Sequence, residues 1–166
     1  HPVTLEQKQT KNQATEFLAA LEKTNSRVVF TYPNVDAGGR EIVSLINHYA
    51  DTHSRAQVAV NLGTQGYFSM MTHAAAMVGN SSSGVIEAAS FKLPVVNIGT
   101  RQSGRDRGRN VIDVDYDRNE IVAAVRQHLQ NGRYDSDPIY GDGKAGIRIA
   151  NVLANAPLKV EKKLTY

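Results

Sequence analysis

Short apolar runs alternate with longer stretches of helical periodicity along most of the chain. Apolar runs that predict buried strands are found at residues 27–32, 57–60, 75–78, 95–98 and 110–114. Stretches with apolar residues three and four positions apart, which predict amphipathic helices, are found at residues 5–23, 39–50, 65–73, 84–91, 118–129 and 144–155. This alternation predicts an α/β fold, a Rossmann-like parallel sheet with helices on both faces.

The length and composition fit a single globular domain with a short tail. Of the 166 residues, 41% are hydrophobic and 21% are charged, which is enough to bury a core. We expect residues 1–155 to form the Rossmann-like domain and residues 156–166 to be a charged tail with little reason to fold alone. A helical pattern follows His1 directly, with no initiator Met. We therefore expect a domain cut at its N-terminus, with His1 either at the tip of a strand whose body is absent or a non-native remnant.

Charge and cysteine content narrow the classes of partner. The net charge of +3 is small, and its excess is concentrated in residues 101–109 and at Lys159, Lys162 and Lys163 in the tail. Such a local excess favours a small anionic ligand over nucleic acid, which requires a broader basic face. The chain has no cysteine, no signal peptide and no apolar run long enough to span a bilayer. We therefore expect a cytoplasmic protein without a membrane partner.

A small polar turn, residues 79–87, lies between a predicted strand and a predicted helix. It contains Ser81, Ser82 and Ser83, followed by Glu87. The hydroxyls, the unpaired N–H groups at the helix start and the positive end of the helix dipole could together hold a phosphate or diphosphate. The Glu87 carboxylate lies on the same helical face and could accept two vicinal hydroxyls, as on a ribose. The alternative is that Ser82 or Ser83 only caps the helix and Glu87 is solvated.

A second polar turn, residues 99–110, follows the next predicted strand. It carries four arginines and three glycines in twelve residues. Successive strands of a doubly wound sheet bring their carboxyl-end loops to one crevice, so this turn and the serine turn would face the same ligand. Two turns rich in anion-binding residues at one edge of the sheet favour ligand binding over simple capping of a helix.

The sequence gives no support for a cofactor-binding or metal-binding site. The chain has no GxGxxG fingerprint, no Walker loop, no metal-ligand spacing and no internal repeat. The scattered His48, His53, His73 and His128 are expected to be surface or packing residues. We therefore expect neither a cofactor nor a bound metal.

Five motifs together resemble the hydrolysing UDP-N-acetylglucosamine 2-epimerases, which open the routes to sialic acids and related nonulosonic acids. The motifs are residues 1–4, 32–38, 79–84 with Glu87, 99–105 and 139–143, in the family's order. The resemblance implies a two-domain enzyme like the B-type glycosyltransferases, with a sugar nucleotide between two Rossmann-like domains. This chain resembles only the C-terminal, UDP-binding domain. The missing N-terminal domain and, in the full-length enzyme, further copies of the chain in a homo-oligomer are the partners it implies.

The resemblance also implies roles for individual residues. Leu62 would pair with uracil through its main chain, Glu87 would bind the ribose, and His1 would sit at the sugar end of the cleft. The UDP-binding residues would be Asn34, Leu62, Ser81, Ser82, Ser83, Glu87, Arg101, Gln102 and Arg105, and the catalytic residues would be His1 and Arg101.

The family reaction eliminates UDP to give 2-acetamidoglucal, which is hydrated to N-acetylmannosamine. It needs a base, an acid and positive groups facing the leaving diphosphate. The family places the required carboxylates on the N-terminal domain, so the isolated chain is expected to bind UDP weakly and to turn over nothing. Ser44 and Asn47 stand where vertebrate relatives carry arginines for feedback binding of CMP-sialic acid, which favours a bacterial-type enzyme.

Two other interpretations stay open at this point. The donor domain of a B-type glycosyltransferase shares a diphosphate site at a helix start and a ribose-binding Glu, but the signatures at residues 139–143 and 100–102 argue against it. A non-catalytic nucleotide-binding module is the third interpretation. The sugar could be N-acetylglucosamine or a related diacetamido-trideoxy sugar.

Overall fold

The structure, a computed structural model, describes residues 1–33 and 36–157 of the chain. Within these ranges the strands are β1 (Val28–Thr31), β2 (Ala56–Ala59), β3 (Met77–Gly79), β4 (Val95–Ile98) and β5 (Val111–Val114). The α-helices are α1 (Thr10–Thr24), α2 (Gly39–Thr52), α3 (Gly63–His73), α4 (Ser82–Val85), α5 (Arg118–Asn131) and α6 (Ala145–Asn155). Two 3₁₀ segments are Thr4–Gln9 and Thr100–Gln102. Each predicted strand and helix is present, and most boundaries are displaced by only a residue or two.

The predicted helix 5–23 is divided in the structure. It begins as the 3₁₀ segment Thr4–Gln9, which is kinked at Glu6 (φ −114°, ψ 18°), and becomes α-helical only at Thr10. Neither Val3 nor Gln9, the residues that precede the two segments, supplies a side-chain cap. An uncapped start leaves the first N–H groups without a local partner, so a regular helix is not favoured there.

The predicted helix 84–91 is α-helical only over α4. Beyond α4 the Ala88 N–H bonds to the Ser83 carbonyl, five residues back, and the Phe91 N–H bonds to the Ala88 carbonyl, three residues back. Ala88 is fully buried, and Ala89 is 2% exposed. Close packing of this segment on the sheet therefore coincides with a departure from the regular helical ladder.

All strand pairs in the described ranges are parallel, but they form two sheets. β1 pairs with β2, with Val28 opposite Ala56, and β3, β4 and β5 pair in that order. The predicted fold class, parallel strands with helices on both faces, is confirmed. The single sheet expected from the sequence is instead interrupted between β1 and β3.

Helices cover both faces of the three-stranded sheet. Val96 and Ile98 of β4 pack on one face against α1 and α5, and Val95 packs on the other against Met71 of α3 and Leu93. All four residues of β4 are buried. A strand buried on both faces is what a central position in a parallel sheet requires.

A separate hydrophobic cluster lies around β1. Phe30 packs between α1 and α2, with its ring edge-on to Phe17 (6.4 Å between centroids) and to Tyr49 (5.7 Å). Its neighbour Val29, in contrast, is 42% exposed. β1 is thus buried on one side only, although its sequence is that of an interior strand.

His128 is a buried titratable group in the core, which fits the packing role predicted for it. Its side chain is fully buried, with Nε2 2.9 Å from the Val95 carbonyl oxygen and Nδ1 3.2 Å from the Tyr134 hydroxyl. Burial lowers the pKa of the imidazole, and the hydrogen bond to Val95 offsets this only in part. His128 therefore prefers its neutral form in the folded chain.

We expect the chain to lose stability as the pH falls below about 6.5, the ordinary pKa of an unfolded imidazole. The folded His128 has the lower pKa, so the unfolded state takes up the proton first and protonation favours unfolding. Urea unfolding at about pH 7.5 and about pH 5 measures this loss. His128→Gln should reduce the difference between the two conditions, whereas His48→Gln, at an exposed position of α2, should leave it unchanged. An equal pH dependence in His128→Gln and the parent chain would contradict the prediction.

The C-terminal part of the described chain is open to solvent. Every residue of α6 is exposed, including Ile147, Ile149, Val152 and Leu153, at 58–69%. Most of the predicted tail, residues 158–166, lies outside the described residues. No helix in the described ranges is long and apolar enough to cross a bilayer.

Candidate functional site

The serine turn and the arginine turn lie side by side at the carboxyl ends of β3 and β4. The Arg101 Nη1 donates to the Asn80 carbonyl oxygen at 3.1 Å, and the Gln102 Nε2 donates to the same oxygen at 2.8 Å. Asn80 directly precedes Ser81. The two turns predicted to meet are therefore tied together by hydrogen bonds to one carbonyl group, a consequence of parallel pairing between neighbouring strands.

One serine of the serine turn caps a helix, and the side chains of the other two make no hydrogen bond in the described residues. Ser81, with φ −70° and ψ 142°, is the N-cap of α4, and its Oγ accepts from the Ser83 N–H at 3.4 Å. The capping alternative therefore holds for Ser81, whereas it was expected at Ser82 or Ser83. The hydroxyls of Ser82 and Ser83 are half-buried and make no hydrogen bond within the described part of the chain. They remain available beside the start of the helix.

Glu87 lies one turn beyond these serines, as the spacing predicted. Its side chain is half-buried, and its Oε2 is shielded from solvent without a hydrogen-bond partner in the described residues. A buried carboxylate oxygen without a partner costs free energy, which a hydroxyl donor from a ligand would recover. This observation separates Glu87 from an ordinary solvated surface residue.

Three arginines of the second turn, Arg101, Arg105 and Arg107, have different surroundings. Arg101 is half-buried against the serine turn, and Arg105 is exposed, with no side-chain hydrogen bond among the described residues. Arg107 forms an ion pair with Asp113, at 2.6 Å between Nε and Oδ2, and its Nη2 donates to the Gln102 carbonyl at 3.0 Å. Arg107 therefore stabilises the conformation of the turn through contacts within the chain. Its charge is therefore balanced by Asp113 and differs from the free positive charge expected for this turn.

Gln102 is placed beneath the arginine turn. Its side chain is 1% exposed, and its amide nitrogen holds the Asn80 carbonyl. In this structure Gln102 fixes the geometry of the two turns, and its predicted contact with a nucleotide stays a prediction.

His1 and Asn80 are held together at the same edge. The α-amino group of His1 donates to Asn80 Oδ1 at 2.7 Å, and Asn80 Nδ2 donates to the His1 carbonyl at 2.8 Å. Burial, reinforced by the charge of Arg101 and opposed by that of Asp36, lowers the pKa of the α-amino group to about 6. Asn80 thus contacts His1, Arg101 and Gln102. The sequence contained it within a motif but gave it no role.

Two further residues at this edge were missed. Thr100 Oγ1 donates to Glu6 Oε1 at 2.5 Å, so the 3₁₀ segment before α1 is anchored to the arginine turn. Tyr116 follows β5, and burial of its hydroxyl raises its pKa. Thr100 lies within the motif 99–105 but was given no role of its own, and Tyr116 belongs to none of the five motifs.

The remaining predicted residues are Leu62, which belongs to a different loop, and Asn34, which lies outside the described residues. Leu62 precedes α3 and lines a cavity that His1, Asn80 and Ser81 also line. Its neighbour Asn61 accepts the Gly63 N–H at 2.7 Å. The predicted residues that do not line this cavity are Ser82, Ser83, Glu87, Arg101, Gln102 and Arg105. The predicted binding residue Asn34 lies outside the described residues.

The distribution of charge at this edge suits an anion. No group of three His, Cys, Asp or Glu side chains that could hold a metal is found in residues 1–33 and 36–157. Arg101, the start of α4 and the hydroxyls of Ser82 and Ser83 belong to the two joined turns that follow β3 and β4. Such an arrangement of donors is what a phosphate group requires.

Comparison with known proteins decides the family. A sequence model of the UDP-N-acetylglucosamine 2-epimerase family matches residues 1–154. The chain belongs to this epimerase family. The resemblance drawn from the five sequence motifs is thereby confirmed, and both turns described above lie within the matched range.

Individual epimerases similar to the chain come from several bacteria. The chain is 38% identical over 158 residues to the UDP-N,N'-diacetylbacillosamine 2-epimerase (hydrolyzing) of Legionella pneumophila, covering 95% of the chain and 42% of that protein. It is 43% identical over 115 residues to the GDP/UDP-N,N'-diacetylbacillosamine 2-epimerase (hydrolyzing) of Campylobacter jejuni, covering 68% of the chain and 30% of that protein. It is 31% identical over 158 residues to the UDP-N-acetylglucosamine 2-epimerase of Neisseria meningitidis, covering 93% of the chain and 41% of that protein. The chain thus spans at most about two fifths of the length of these epimerases.

Proposed function

We propose that the chain is the UDP-binding, C-terminal domain of a hydrolysing UDP-sugar 2-epimerase. The observation that carries this proposal is the junction of the two turns. Arg101 and Gln102 bond to the carbonyl of Asn80, directly before the serine turn. This junction supports a diphosphate site shared by Arg101 and the hydroxyls of Ser82 and Ser83.

The proposed site holds the diphosphate of the sugar nucleotide. Only one guanidinium nitrogen of Arg101 is used in its bond to Asn80, so its remaining N–H donors can face the diphosphate oxygens. Ser82, Ser83 and the first N–H groups of α4 supply further donors, and Arg105 lies exposed at the outer side of the turn. Charge-assisted hydrogen bonds of this type are stronger than neutral ones.

In the proposed orientation the ribose lies over Glu87 and the sugar lies towards His1. The unpartnered Oε2 of Glu87 would accept a ribose hydroxyl, and the main chain at Leu62 would pair with the uracil. His1 is hydrogen-bonded to the Asn80 side chain, and the charge of Arg101 acts on its α-amino group. In this proposal Leu62, Glu87, the serine turn, Arg101 and His1 follow one another along one extended ligand.

The proposed reaction releases UDP from a 2-acetamido sugar and then adds water to the resulting 2-acetamidoglucal. Negative charge develops on the leaving diphosphate, and fixed cationic and hydroxyl donors at that point lower the barrier most. The names of the relatives support N-acetylglucosamine or a diacetamido sugar as the sugar. A sialic acid or related nonulosonic acid route, a homo-oligomer and a cytoplasmic location belong to the same proposal.

Titration calorimetry of UDP tests the site in the chain itself. Arg101→Ala and Ser82→Ala should each weaken UDP binding by about 1–3 kcal/mol, a Kd about 5- to 150-fold larger, because each removes a donor to a charged oxygen. Arg126→Ala on α5 and Ser69→Ala on α3, at exposed positions, are matched controls that should leave the Kd unchanged. Far-UV circular dichroism confirms that each variant is folded. Unaltered UDP affinity in both folded site variants would refute the proposed site.

A further inference from the structure

The 3₁₀ segment before α1 reaches the arginine turn through one carboxylate, that of Glu6. Its Oε1 accepts from the Thr100 hydroxyl at 2.5 Å, and its Oε2 accepts from the Gln13 amide nitrogen at 2.6 Å. Thr100 directly precedes Arg101, the cation of the proposed diphosphate site. Glu6 is thus bonded to the neighbour of that cation, although 94 positions separate Glu6 from Thr100 in the chain.

Hydrophobic packing does not account for this contact. No residue of the segment Thr4–Gln9 is buried, and Leu5, beside Glu6, is 97% exposed. Thr100 is exposed as well. The two hydrogen bonds of the Glu6 carboxylate therefore connect surface positions of the site's edge, where a purely structural bond would stabilise little.

The arginine turn is fixed at the two residues that precede Arg101. The Gly99 N–H donates to the carbonyl of the last residue of β5 at 2.8 Å, and the Tyr116 ring packs directly against Gly99. The bond from Thr100 to Glu6 comes next along the chain. The backbone from which the Arg101 side chain extends is therefore held in place before the guanidinium meets any ligand.

The charges of Glu6 and Arg101 lie near each other, but they form no ion pair in the described ranges. Both act on the Tyr116 hydroxyl, whose pKa is raised by burial, raised further by Glu6 and lowered by Arg101. The two oxygens of Glu6 are instead occupied by the neutral donors Thr100 and Gln13. A carboxylate released from these donors could pair with the guanidinium and occupy the N–H groups that a diphosphate needs.

From these contacts we propose that Glu6 is a positioning residue of the diphosphate site, which acts on Arg101 through Thr100. It does not bind the ligand itself, because a carboxylate and a diphosphate repel each other. Glu6 instead holds the Thr100 hydroxyl, and Thr100 and Gln13 in turn keep the carboxylate from Arg101. This inference rests on the proposed function, since it takes Arg101 as the residue that contacts the diphosphate.

Substitutions at both ends of the bond test the proposal by calorimetric titration of UDP. Glu6→Ala and Thr100→Val each remove the bond, and each should raise the Kd about 3- to 10-fold. Thr100→Ser keeps the hydroxyl and should retain the Kd of the parent chain. Glu22→Ala, near the other end of α1, removes the same charge and should also leave the Kd unchanged.

The direction of the effect separates positioning from simple electrostatics. Removal of a negative charge near an anion site should by itself strengthen UDP binding. A weaker affinity in Glu6→Ala therefore requires that the loss of the bond to Thr100 outweighs the loss of repulsion. Thr100→Val changes no charge, so it measures the effect of the bond alone.

A double variant shows whether Glu6 acts through Arg101. If it does, Glu6→Ala should have no further effect on the Kd in the Arg101→Ala chain, because the guanidinium to be positioned is absent. A merely structural role would lower the affinity by the same factor in both backgrounds. Urea unfolding confirms that each variant is folded, and Thr100 is exposed, so its two substitutions leave the core intact.

The contrary results for this role differ from those for the proposed function. Parental UDP affinity in Glu6→Ala and Thr100→Val, with a weakened Arg101→Ala, would overturn the role of Glu6 and leave the diphosphate site in place. Equal losses in Thr100→Ser and Thr100→Val would also overturn it, because the hydroxyl would then not matter. UDP affinity unaffected by Arg101→Ala would instead refute the diphosphate site at Arg101, and the role of Glu6 with it.

Discussion

Incubated with UDP-N-acetylglucosamine, the 166-residue chain alone is expected to release no N-acetylmannosamine above the uncatalysed background. Within the proposed function, Arg101 and the serine turn stabilise the leaving diphosphate, and Glu87 is occupied by the ribose. A base for the C2 proton and an acid for hydration must face the sugar from the opposite side of the cleft. The similar epimerases are more than twice as long as the chain, so they have room for such a second wall.

A coupled assay for N-acetylmannosamine, with the Neisseria meningitidis relative as the positive control, makes this measurement. The chain should still bind UDP in the calorimeter, which shows that absence of product does not come from an unfolded sample. Turnover that persists in the purified chain and disappears in Arg101→Ala would contradict the expectation. It would place a complete catalytic set on this domain.

Gly99→Ala is expected to destabilise the chain by about 2–6 kcal/mol, the sum of a strained backbone and an overpacked site. Gly99 has φ 71° and ψ −163°, a conformation nearly restricted to glycine. A Cβ at this position would lie 2.5 Å from Cζ and 2.6 Å from Oη of Tyr116. The Tyr116 ring is half-buried at the edge of the site, so relief of the clash must move either the ring or the arginine turn.

Gly104→Ala in the same turn is the matched control. Gly104 also has a positive φ, 78°, but a Cβ there meets no atom within 4 Å. It should therefore cost only the backbone strain, about 1 kcal/mol. Urea unfolding compares the two variants, and similar unfolding free energies for both would show that the contact with Tyr116 carries no energy. Because Gly99 precedes Arg101 by two residues, UDP affinity should fall in Gly99→Ala more than in Gly104→Ala.

The local elements of the fold could be predicted from the sequence. Strand β4 was predicted with its observed bounds, Val95–Ile98, because a short apolar run before a glycine-rich turn has few alternatives. Helices α2 and α5 were predicted within a turn of their ends for the same reason, since their apolar periodicity is strong. The predicted helix 84–91 was too long, because its path depends on close packing that the sequence does not display.

The candidate site, too, could be predicted only in part from the sequence. The serine and arginine turns were recognisable because their residue types are concentrated in a few positions, and parallel topology alone predicted that they would meet. The roles of single side chains within them were not recognisable. Ser81 rather than Ser82 caps α4, and Arg107 is bound to Asp113 rather than free for a ligand.

The sequence by itself thus determined the fold class, the order of the elements and the two turns, because these follow from periodicity and from residue types close together in the chain. The tertiary structure alone decided that Asn80 is hydrogen-bonded to His1, Arg101 and Gln102, and that β1 and β3 line the same cavity. These contacts join residues about 20 to 80 positions apart. Their existence depends on how whole strands and helices pack, which no local pattern of residues encodes.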